Sequence, residues 1–295
     1  MDYLDEKTDR TPFSYKKEVI EKFIVMIEAN KNKINEYLEQ HPSLTEALYD
    51  VEQEIVQETL SYMSLEDDEG QIDIKPSRLQ NSIEKRVDAK KMDRAHAYKD
   101  ACMFIHEQAI KSDAYLDQNI LIKAHYKLYT KSELGAGTEY WRFRNEKDVG
   151  VDIMNAKFDA VPGELVSCRI QNLFYMLSND WFEDHPIIKG VKFLSEYFRI
   201  QPHNDGNKRT GIMAMNFILE SNGYPRICIL KNQKSQFFEG LEEAVLGRDV
   251  TKLALIAAQN VLNRQEVCIE KIKKYRLMKY EESLKELNFE QSNCE

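Results

Sequence analysis

The chain has 295 residues, which is enough to bury a large hydrophobic core in one or two domains. Hydrophobic residues make up 42% of the chain and charged residues 31%, which excludes a disordered protein, and only 11 glycines and 7 prolines argue against a turn-rich all-β fold. The formal net charge of −9 argues against nonspecific nucleic-acid binding as the main activity, so nucleic acid is not an expected partner.

The cysteines and the first residues indicate a cellular compartment. The five cysteines are scattered and show no CxxC spacing, so we interpret them as free thiols in a reducing environment. The chain starts without a basic-then-apolar signal and contains no apolar run long enough to span a membrane. We therefore expect a cytoplasmic protein, and export as an effector without a cleavable signal stays open.

The N-terminal part of the chain is predicted to be helical. Thr11 and Pro12 fit an N-cap and a first helical position. Residues 43–46 have the form of a capping box, and apolar residues at helical spacing follow them. The acidic run at 66–70 is interpreted as a solvated loop. Further helices are predicted over 76–87, 92–110 and 116–129, with His125 as a packed core histidine rather than a ligand.

The helical period disappears between residues 131 and 161. Gly135 and Gly137 precede a mixed aromatic and basic segment, and residues 149–153 alternate in the manner of a strand. This pattern predicts a small β-hairpin. Helices are then predicted over 162–177, 187–198, 207–220, 237–246 and 249–263, followed by an amphipathic helix over 269–287. The expected fold class is therefore all-α with one small β-hairpin.

The stretch from residue 200 to residue 211 joins two apolar helices and is the centre of the predicted organisation. The second helix begins with Asp-Gly-Asn-Lys-Arg, and the free amides and positive dipole end of a helix N-terminus attract phosphate. Gly206 allows close backbone approach, and Asn207, Lys208 and Arg209 add donors and charge. Asp205 is a hard oxygen ligand of the kind that Mg²⁺ accepts beside substrate phosphates. A nucleotide-phosphate site and a basic helix start capped by an aspartate both remain open at this point.

At these residues the chain resembles the Fic (Fido-fold) family. The family motif is usually His-Pro-Phe-x-Asp/Glu-Gly-Asn-Gly-Arg, and here it reads from Gln201 to Arg209. Segments at 137–142, 149–153, 185–186 and 238–249 also resemble family elements in the same order. The resemblance implies an N-terminal helical extension over 1–115 with a regulatory role left open, a Fic-like core over 116–263 with a flap at about 137–160, and an amphipathic C-terminal helix over 264–295.

The resemblance implies a function and a role for each motif residue. Fic proteins move a phosphate-bearing group, most often AMP from ATP, to a hydroxyl of a target protein that docks at the flap. By this resemblance Asp205 holds Mg²⁺, and Gly206, Asn207, Lys208 and Arg209 bind the nucleotide phosphates. Gln201, at the position of the family's catalytic base, and Asn207 are the expected catalytic residues.

Three motif positions depart from the family pattern. Gln201 cannot accept a proton near neutral pH. His203 replaces a core phenylalanine, and we interpret it as packed rather than as a displaced base. Lys208, together with Ile212 in place of a later arginine, resembles the Doc-type members of the family, in which the motif supports phosphate transfer.

One segment of this chain loosely resembles an inhibitory helix that occurs in Fic proteins. Many Fic proteins carry a helix that ends in Ser/Thr-x-x-x-Glu, and Ser64 to Gly70 resembles it with the spacing off by one. Glu69 is therefore a candidate inhibitory residue, and a solvated acidic loop is the alternative.

Two functions follow from the sequence. The first is a Fic-like transferase of AMP or another phosphate-bearing group, whose activity is redirected, weak or lost because Gln201 replaces the base. The alternative is a catalytically inactive Fic protein that binds a nucleotide or a partner. An empty helical scaffold is disfavoured, because the phosphate-binding residues are retained in register.

Overall fold

A computed structural model describes residues 12–48, 50–66, 89–129, 142–145, 150–153 and 156–292. In chain order, its elements are α1 Lys17–Gln40, α2 Thr45–Leu48, α3 Val51–Glu66, α4 Ala89–Ala109, α5 Gln118–Lys127, β1 Gly150–Ile153, β2 Ala156–Asp159, α6 Gly163–Tyr175, α7 Pro186–Ile200, α8 Asn207–Glu220, α9 Lys234–Gly247 and α10 Thr251–Ser292. The prediction of a mainly helical fold with a small β-hairpin is confirmed. None of the helices in the described part is long and apolar enough to cross a membrane.

Helices α7 and α8 form the centre of the molecule. Both are buried along almost their whole length, and they approach each other closely at two glycines. A Cβ atom on Gly211 would lie 2.8 Å from Leu194 Cδ1, and one on Gly190 would lie 2.8 Å from Met215 Cγ. This close packing makes α8 the buried axis of the fold, as the sequence predicted.

Two large hydrophobic clusters lie on either side of this helix pair. One is built mainly with α3, α4, α5 and α6, and the other with α1, α9 and α10. Residues of α7 and α8 contribute to both clusters, so the two halves of the core are joined through them. The site at the start of α8 is thereby attached to a closely packed pair of buried helices.

The N-terminal helix begins later than predicted. It starts at Lys17 rather than at Pro12, because the preceding residues pair with the chain before α10. Ser14 N donates to Arg248 O at 2.8 Å, and Val250 N donates to Ser14 O at 3.0 Å. Thr11 lies outside the described residues. Extended backbone held in this way cannot also start a helix.

The two helices predicted over 249–263 and 269–287 are one continuous helix, α10. No glycine or proline occurs between Thr251 and Ser292, so no residue in this stretch favours a break. Asp249 caps the start of the helix by accepting from Thr251 N at 2.8 Å.

The β-hairpin lies against the end of α7. Strands β1 and β2 pair antiparallel, with Gly150 opposite Asp159 and Ile153 opposite Ala156. Ile153 is buried in the core cluster of α7 and α9, and the Phe158 ring lies 6.0 Å from the Phe198 ring between centroids. These contacts hold the hairpin beside the turn between α7 and α8.

Candidate functional site

A buried arginine, Arg144, stabilises the turn between α7 and α8 by hydrogen bonds to backbone carbonyls. Arg144 Nε donates to Gln201 O at 2.6 Å, and its Nη2 donates to Ile200 O at 3.2 Å and to Val161 O. The backbone N of Arg144 also donates to Pro202 O at 2.9 Å. Carbonyl oxygens at a helix C-terminus have no partner within the helix. The Arg144 guanidinium therefore donates to carbonyl oxygens of the turn that would otherwise lack a hydrogen-bond partner. Sequence reasoning assigned no role to Arg144, because its only signal is an arginine beside aromatic residues.

Gln201 and Asn207 form an interlocked pair within the turn. Gln201 adopts a left-handed backbone conformation with a φ of 51°, and its Nε2 donates to Phe198 O at 2.7 Å. Asn207 Nδ2 donates to Gln201 Oε1 at 2.6 Å and to His203 O at 2.7 Å, while Asn207 Oδ1 accepts from His203 N at 2.9 Å. Both ends of the Gln201 amide are thus engaged inside the protein. The bond to Gln201 Oε1 therefore helps to fix the orientation of the Asn207 side chain.

Asp205 and Arg209 form an ion pair one turn apart at the start of α8. Arg209 Nη2 donates to Asp205 Oδ2 at 2.9 Å, and Tyr129 OH donates to the same oxygen at 3.5 Å. The Asp205 side chain is 66% exposed, whereas the Arg209 side chain is 11% exposed. The carboxylate therefore faces solvent at the mouth of the site, while the guanidinium is fixed behind it.

Gly206 is required by both conformation and space. Its φ is +79°, a region that favours glycine. A Cβ atom there would lie 2.9 Å from Tyr129 OH and 3.0 Å from His125 Cε1. A residue with a side chain at position 206 would therefore both strain the backbone and collide with Tyr129 and His125.

His203 and His125 stack on each other beneath the turn. Their ring centroids are 3.5 Å apart with an interplanar angle of 10°, and both rings are buried. His203 Nδ1 lies 3.2 Å from Arg142 O and His125 Nδ1 lies 3.1 Å from Thr210 Oγ1, while neither Nε2 has a hydrogen-bond partner. Burial lowers the pKa of His203 to about 4, and burial together with His203 and Arg209 lowers that of His125 still further. The histidines are packed, as the sequence analysis expected, and His203 is not placed as a base.

The motif residues line an open cleft of about 160 Å³ beneath the hairpin. Its lining consists of Val151 and Asp152 of β1, of Phe198 and Gln201, and of residues 204–209. Lys208 Nζ lies 4.6 Å from the centroid of the Phe238 ring. Ile212, at the position of the family's later arginine, is buried in the core. The structure therefore brings the predicted residues Gln201 and 205–209 together around one opening.

The donor set of the cleft is suited to phosphate with a single magnesium ion. No group of three or more His, Cys, Asp or Glu side chains in the described part of the chain is arranged to hold a metal. Mg²⁺ bound through one carboxylate, substrate phosphates and water does not need such a cage. The exposed Asp205 carboxylate at the rim fits that mode of binding. The candidate inhibitory residue Glu69 lies outside the described residues.

Comparison with known proteins identifies the fold. Residues 115–219 match the model of the Fic/DOC family. A Fic domain containing signaling protein from Bacteroides thetaiotaomicron superposes with a TM-score of 0.62 at 15% identity, over 83% of this chain and 92% of that chain. A fragment of Fic-1 from C. elegans superposes with a TM-score of 0.68 at 14% identity, over 86% of this chain and 72% of that chain.

A Fic family protein from Desulfovibrio desulfuricans gives a TM-score of 0.61 at 15% identity, over 84% of this chain and 74% of that chain. At such identities the superpositions establish the fold and not the chemistry. The chain therefore has the Fic fold, with the segment that matches the Fic/DOC family at residues 115–219.

Proposed function

We propose that this protein is a Fic-type scaffold that binds a nucleotide at the start of α8 and transfers AMP or another phosphate-bearing group to a protein hydroxyl. The observation that supports this most directly is the joint placement of Asp205, Asn207 and Arg209 around one cleft at a helix N-terminus. Transfer at phosphorus depends mainly on positioning and charge stabilisation, which such a site supplies.

The amides at the start of α8 and the guanidinium of Arg209 bind the nucleotide phosphates in this proposal. The Asn207 side chain is fully engaged within the turn by Gln201 and by the His203 backbone, so in this proposal it holds the turn and the donors beside it in place before a ligand enters. Prearranged donors stabilise developing charge without reorganising during the reaction. The Mg²⁺ held by Asp205 would neutralise charge on the phosphate oxygens.

The target hydroxyl must lose its proton when its oxygen attacks phosphorus and the bond to the leaving group breaks. Gln201 cannot take that proton, since an amide is not basic near pH 7 and both its ends are already hydrogen-bonded. His203 is buried and has a pKa of about 4, so it does not replace the base. The proton passes to solvent, and we expect slow transfer by the wild-type protein.

Phosphate binding is tested by calorimetric titration with ATP and with ADP, each with and without MgCl₂. We expect saturable binding that needs Mg²⁺, and a loss of about tenfold or more in Arg209→Ala, because hydrogen bonds to charged groups contribute strongly. Lys231→Ala, an exposed lysine before α9, serves as the charge-matched control and should bind as the wild type does. Undetectable binding of both nucleotides to the wild type would overturn the nucleotide site.

Transfer is tested by restoring the base. Histidine tolerates the left-handed region better than most residues, so Gln201→His fits the φ of 51° at this position. We expect it to raise self-modification by roughly 10²–10⁴-fold, the usual contribution of a general base. Intact mass after incubation with ATP and Mg²⁺ measures the transferred group, and Asp205→Ala in the same background should abolish the gain.

A second function, nucleotide or partner binding without transfer, is favoured by the full engagement of the Gln201 amide. If wild type and Gln201→His both bind nucleotide but neither transfers a group, the binding module is the correct description. If Gln201→Ala removes an activity that the wild type shows, Gln201 acts by positioning Asn207 in a redirected reaction.

The hairpin is the proposed docking place for the protein target. Strand β1 pairs with β2 on one side only in the described part of the chain, and its outer edge can accept an extended segment. Hydrogen exchange of the backbone amides of residues 150–153 should slow when a protein substrate of the transfer reaction binds. Unchanged exchange in a complex shown to form by another method would place the target elsewhere.

A further inference from the structure

The cleft at the start of α8 is small for a whole nucleotide. Its volume of about 160 Å³ lies below the roughly 300–1,000 Å³ that is usual for sites that enclose a drug-sized ligand. A nucleoside triphosphate is a ligand of at least that size, so the walls formed by the described residues enclose only a part of it. Most of the lining consists of residues 204–209, and the enclosed part is therefore the one that meets the start of α8.

The amide side chains in the cleft wall are poorly placed to recognise a nucleobase. An amide recognises a base by pairing its donor and its acceptor with the base edge together. The Gln201 amide donates to Phe198 O and accepts from Asn207 Nδ2, and the Asn207 amide is engaged with the His203 backbone as well. Asn204 is exposed, so a hydrogen bond from its amide to a ligand competes with water and contributes little to selectivity.

The other polar side chains at the start of α8 are charged. Asp205 is 66% exposed at the mouth of the cleft, and Arg209 lies behind it with Nη2 at 2.9 Å from Asp205 Oδ2. Lys208 also lines the cleft. Hydrogen bonds to charged groups are roughly twice as strong as those between neutral groups, and a helix N-terminus favours anions. Binding energy in this cleft is therefore concentrated on the phosphates and their Mg²⁺.

The hairpin side of the cleft offers little discrimination between bases. Val151 and Phe198 are apolar, and apolar contact with the face of a base is possible for every base. Asp152 is 74% exposed and pairs with Lys157 across the hairpin at 3.1 Å, so its carboxylate is already engaged and solvated. A base that lies against this side is held without its hydrogen-bonding edge being recognised.

We propose that this cleft selects its ligand by the triphosphate group with Mg²⁺ and not by the nucleobase. This specificity depends on the nucleotide-binding function proposed above and defines its substrate class, which is any nucleoside triphosphate. A site built to hydrogen-bond a substrate group rejects an analogue without that group by roughly 10⁴–10⁵-fold, because the site's own polar groups are then left unpaired. Gln201 and Asn207 keep their partners whichever base is present, so no such penalty arises from them.

The proposal is tested by calorimetric titration of the full chain, with MgCl₂ and at constant ionic strength. The probes are ATP, GTP, CTP, UTP, inorganic triphosphate and adenosine. We expect the four nucleotides to bind with Kd values within about threefold of one another, since contact with a base face is tolerant of its identity. Inorganic triphosphate should compete with ATP and bind within about tenfold of it, because the charged contacts are to phosphate. Adenosine should show no detectable binding.

The outcomes separate this specificity from the nucleotide site itself. A preference of about tenfold or more for one base, measurable binding of adenosine, or ATP binding that inorganic triphosphate does not compete would overturn the specificity and leave the nucleotide site in place. No binding of any of the phosphate-bearing probes would overturn the nucleotide site, and the specificity with it.

Variants locate the contacts that determine selectivity. Arg209→Ala should weaken the binding of ATP and of inorganic triphosphate by the same factor, because the guanidinium contacts phosphate in both. Gln201→Ala should leave the ratios of the four nucleotide affinities unchanged, because the Gln201 amide bonds within the protein. Each ratio is measured within one variant, so a partial loss of stability does not alter it. A base preference of about tenfold that appears in Gln201→Ala, or a loss of ATP binding but not of triphosphate binding in Arg209→Ala, would contradict the proposal.

Discussion

One carboxylate–arginine pair lies at the start of helix α8 and another lies near its end, and the first is partly exposed whereas the second is buried. At the N-terminal end, Asp205 is largely exposed and Arg209 reaches it one helical turn away, at 2.9 Å. At the C-terminal end, Arg226 Nη2 lies 2.8 Å from Glu58 Oε2, and both side chains are buried. Tyr98 OH and Asn216 Nδ2 also donate to Glu58, at 3.2 and 3.3 Å.

This difference separates a ligand-exchangeable pair from a structural one. An ion pair with a largely exposed carboxylate contributes little to stability, so a phosphate can displace Asp205 from Arg209 at small cost. A buried pair is strongly destabilising when one member is removed, because the other charge stays desolvated. We therefore propose that the N-terminal pair binds ligand and that the C-terminal pair supports the structure, and the following variants test that division.

The largest effect is expected for Glu58→Ala. It leaves the Arg226 guanidinium buried without its main counter-charge and removes the acceptor of three further donors, on Tyr98, Cys102 and Asn216. We expect the free energy of unfolding to fall by about 3–5 kcal/mol, as measured by urea denaturation. Glu52→Ala, in an exposed pair with Lys99, should lower it by less than about 1 kcal/mol. Similar losses in the two variants would contradict a structural role specific to the buried pair.

A slightly smaller effect is expected from acidification, through the histidine stack beneath the N-terminal end. His203 has a pKa of about 4 in the folded protein, below the usual histidine value of 6.5. The unfolded chain therefore binds a proton between pH 6.5 and pH 4 that the folded protein does not. Stability falls as the pH decreases through this window, by about 3 kcal/mol for a shift of this size.

The variant His203→Phe tests this assignment, since phenylalanine does not titrate and can still stack on His125. We expect its stability to fall less between pH 7 and pH 4 in urea denaturation, with a residual decrease from His125, whose pKa is also lowered. An equal decrease in both proteins would show that His203 is not the titrating group.

A loss of about 2–3 kcal/mol is expected for Arg144→Leu. The substitution leaves the carbonyls of Ile200, Gln201 and Val161 without their side-chain donor, and a buried acceptor without a partner costs about 1–3 kcal/mol. Arg144→Lys should restore part of the stability but not the simultaneous contacts, which need a forked guanidinium. Wild-type stability of Arg144→Leu would show that water replaces these bonds without cost.

The smallest effect on stability is expected for Asp205→Asn. Its carboxylate is exposed, its ion pair with Arg209 lies within one helical turn, and its bond from Tyr129 OH is long, so the free energy of unfolding should change by less than about 1 kcal/mol. The Mg²⁺ dependence of nucleotide binding should nevertheless disappear, because an amide is a much weaker ligand than a carboxylate. A large loss of stability would instead show that Asp205 has a structural role, and it would contradict the division between the two pairs.

Local sequence signals determined much of the fold. Helical periodicity and strand alternation predicted a helical protein with one hairpin, because both depend on the spacing of apolar residues along the chain. The glycine and charges at 205–209 predicted a ligand-accessible helix start, since Gly206 and a helix N-terminus carry that property locally. Asp205, Asn207 and Arg209 were identified for the same reason.

Contacts between distant residues were decided only by the tertiary structure. Arg144 bonds to carbonyls more than 50 positions away, and His125 reaches Thr210 across the core, so no local pattern marks either partnership. The start of α1 depends on pairing between Ser14 and the chain before α10, which overrides the capping signal at Pro12. The engagement of both ends of the Gln201 amide likewise follows from the folded turn. Hydrophobic periodicity is a property of one segment. The burial and the hydrogen-bond partners of a side chain depend instead on which other segments the fold packs against it.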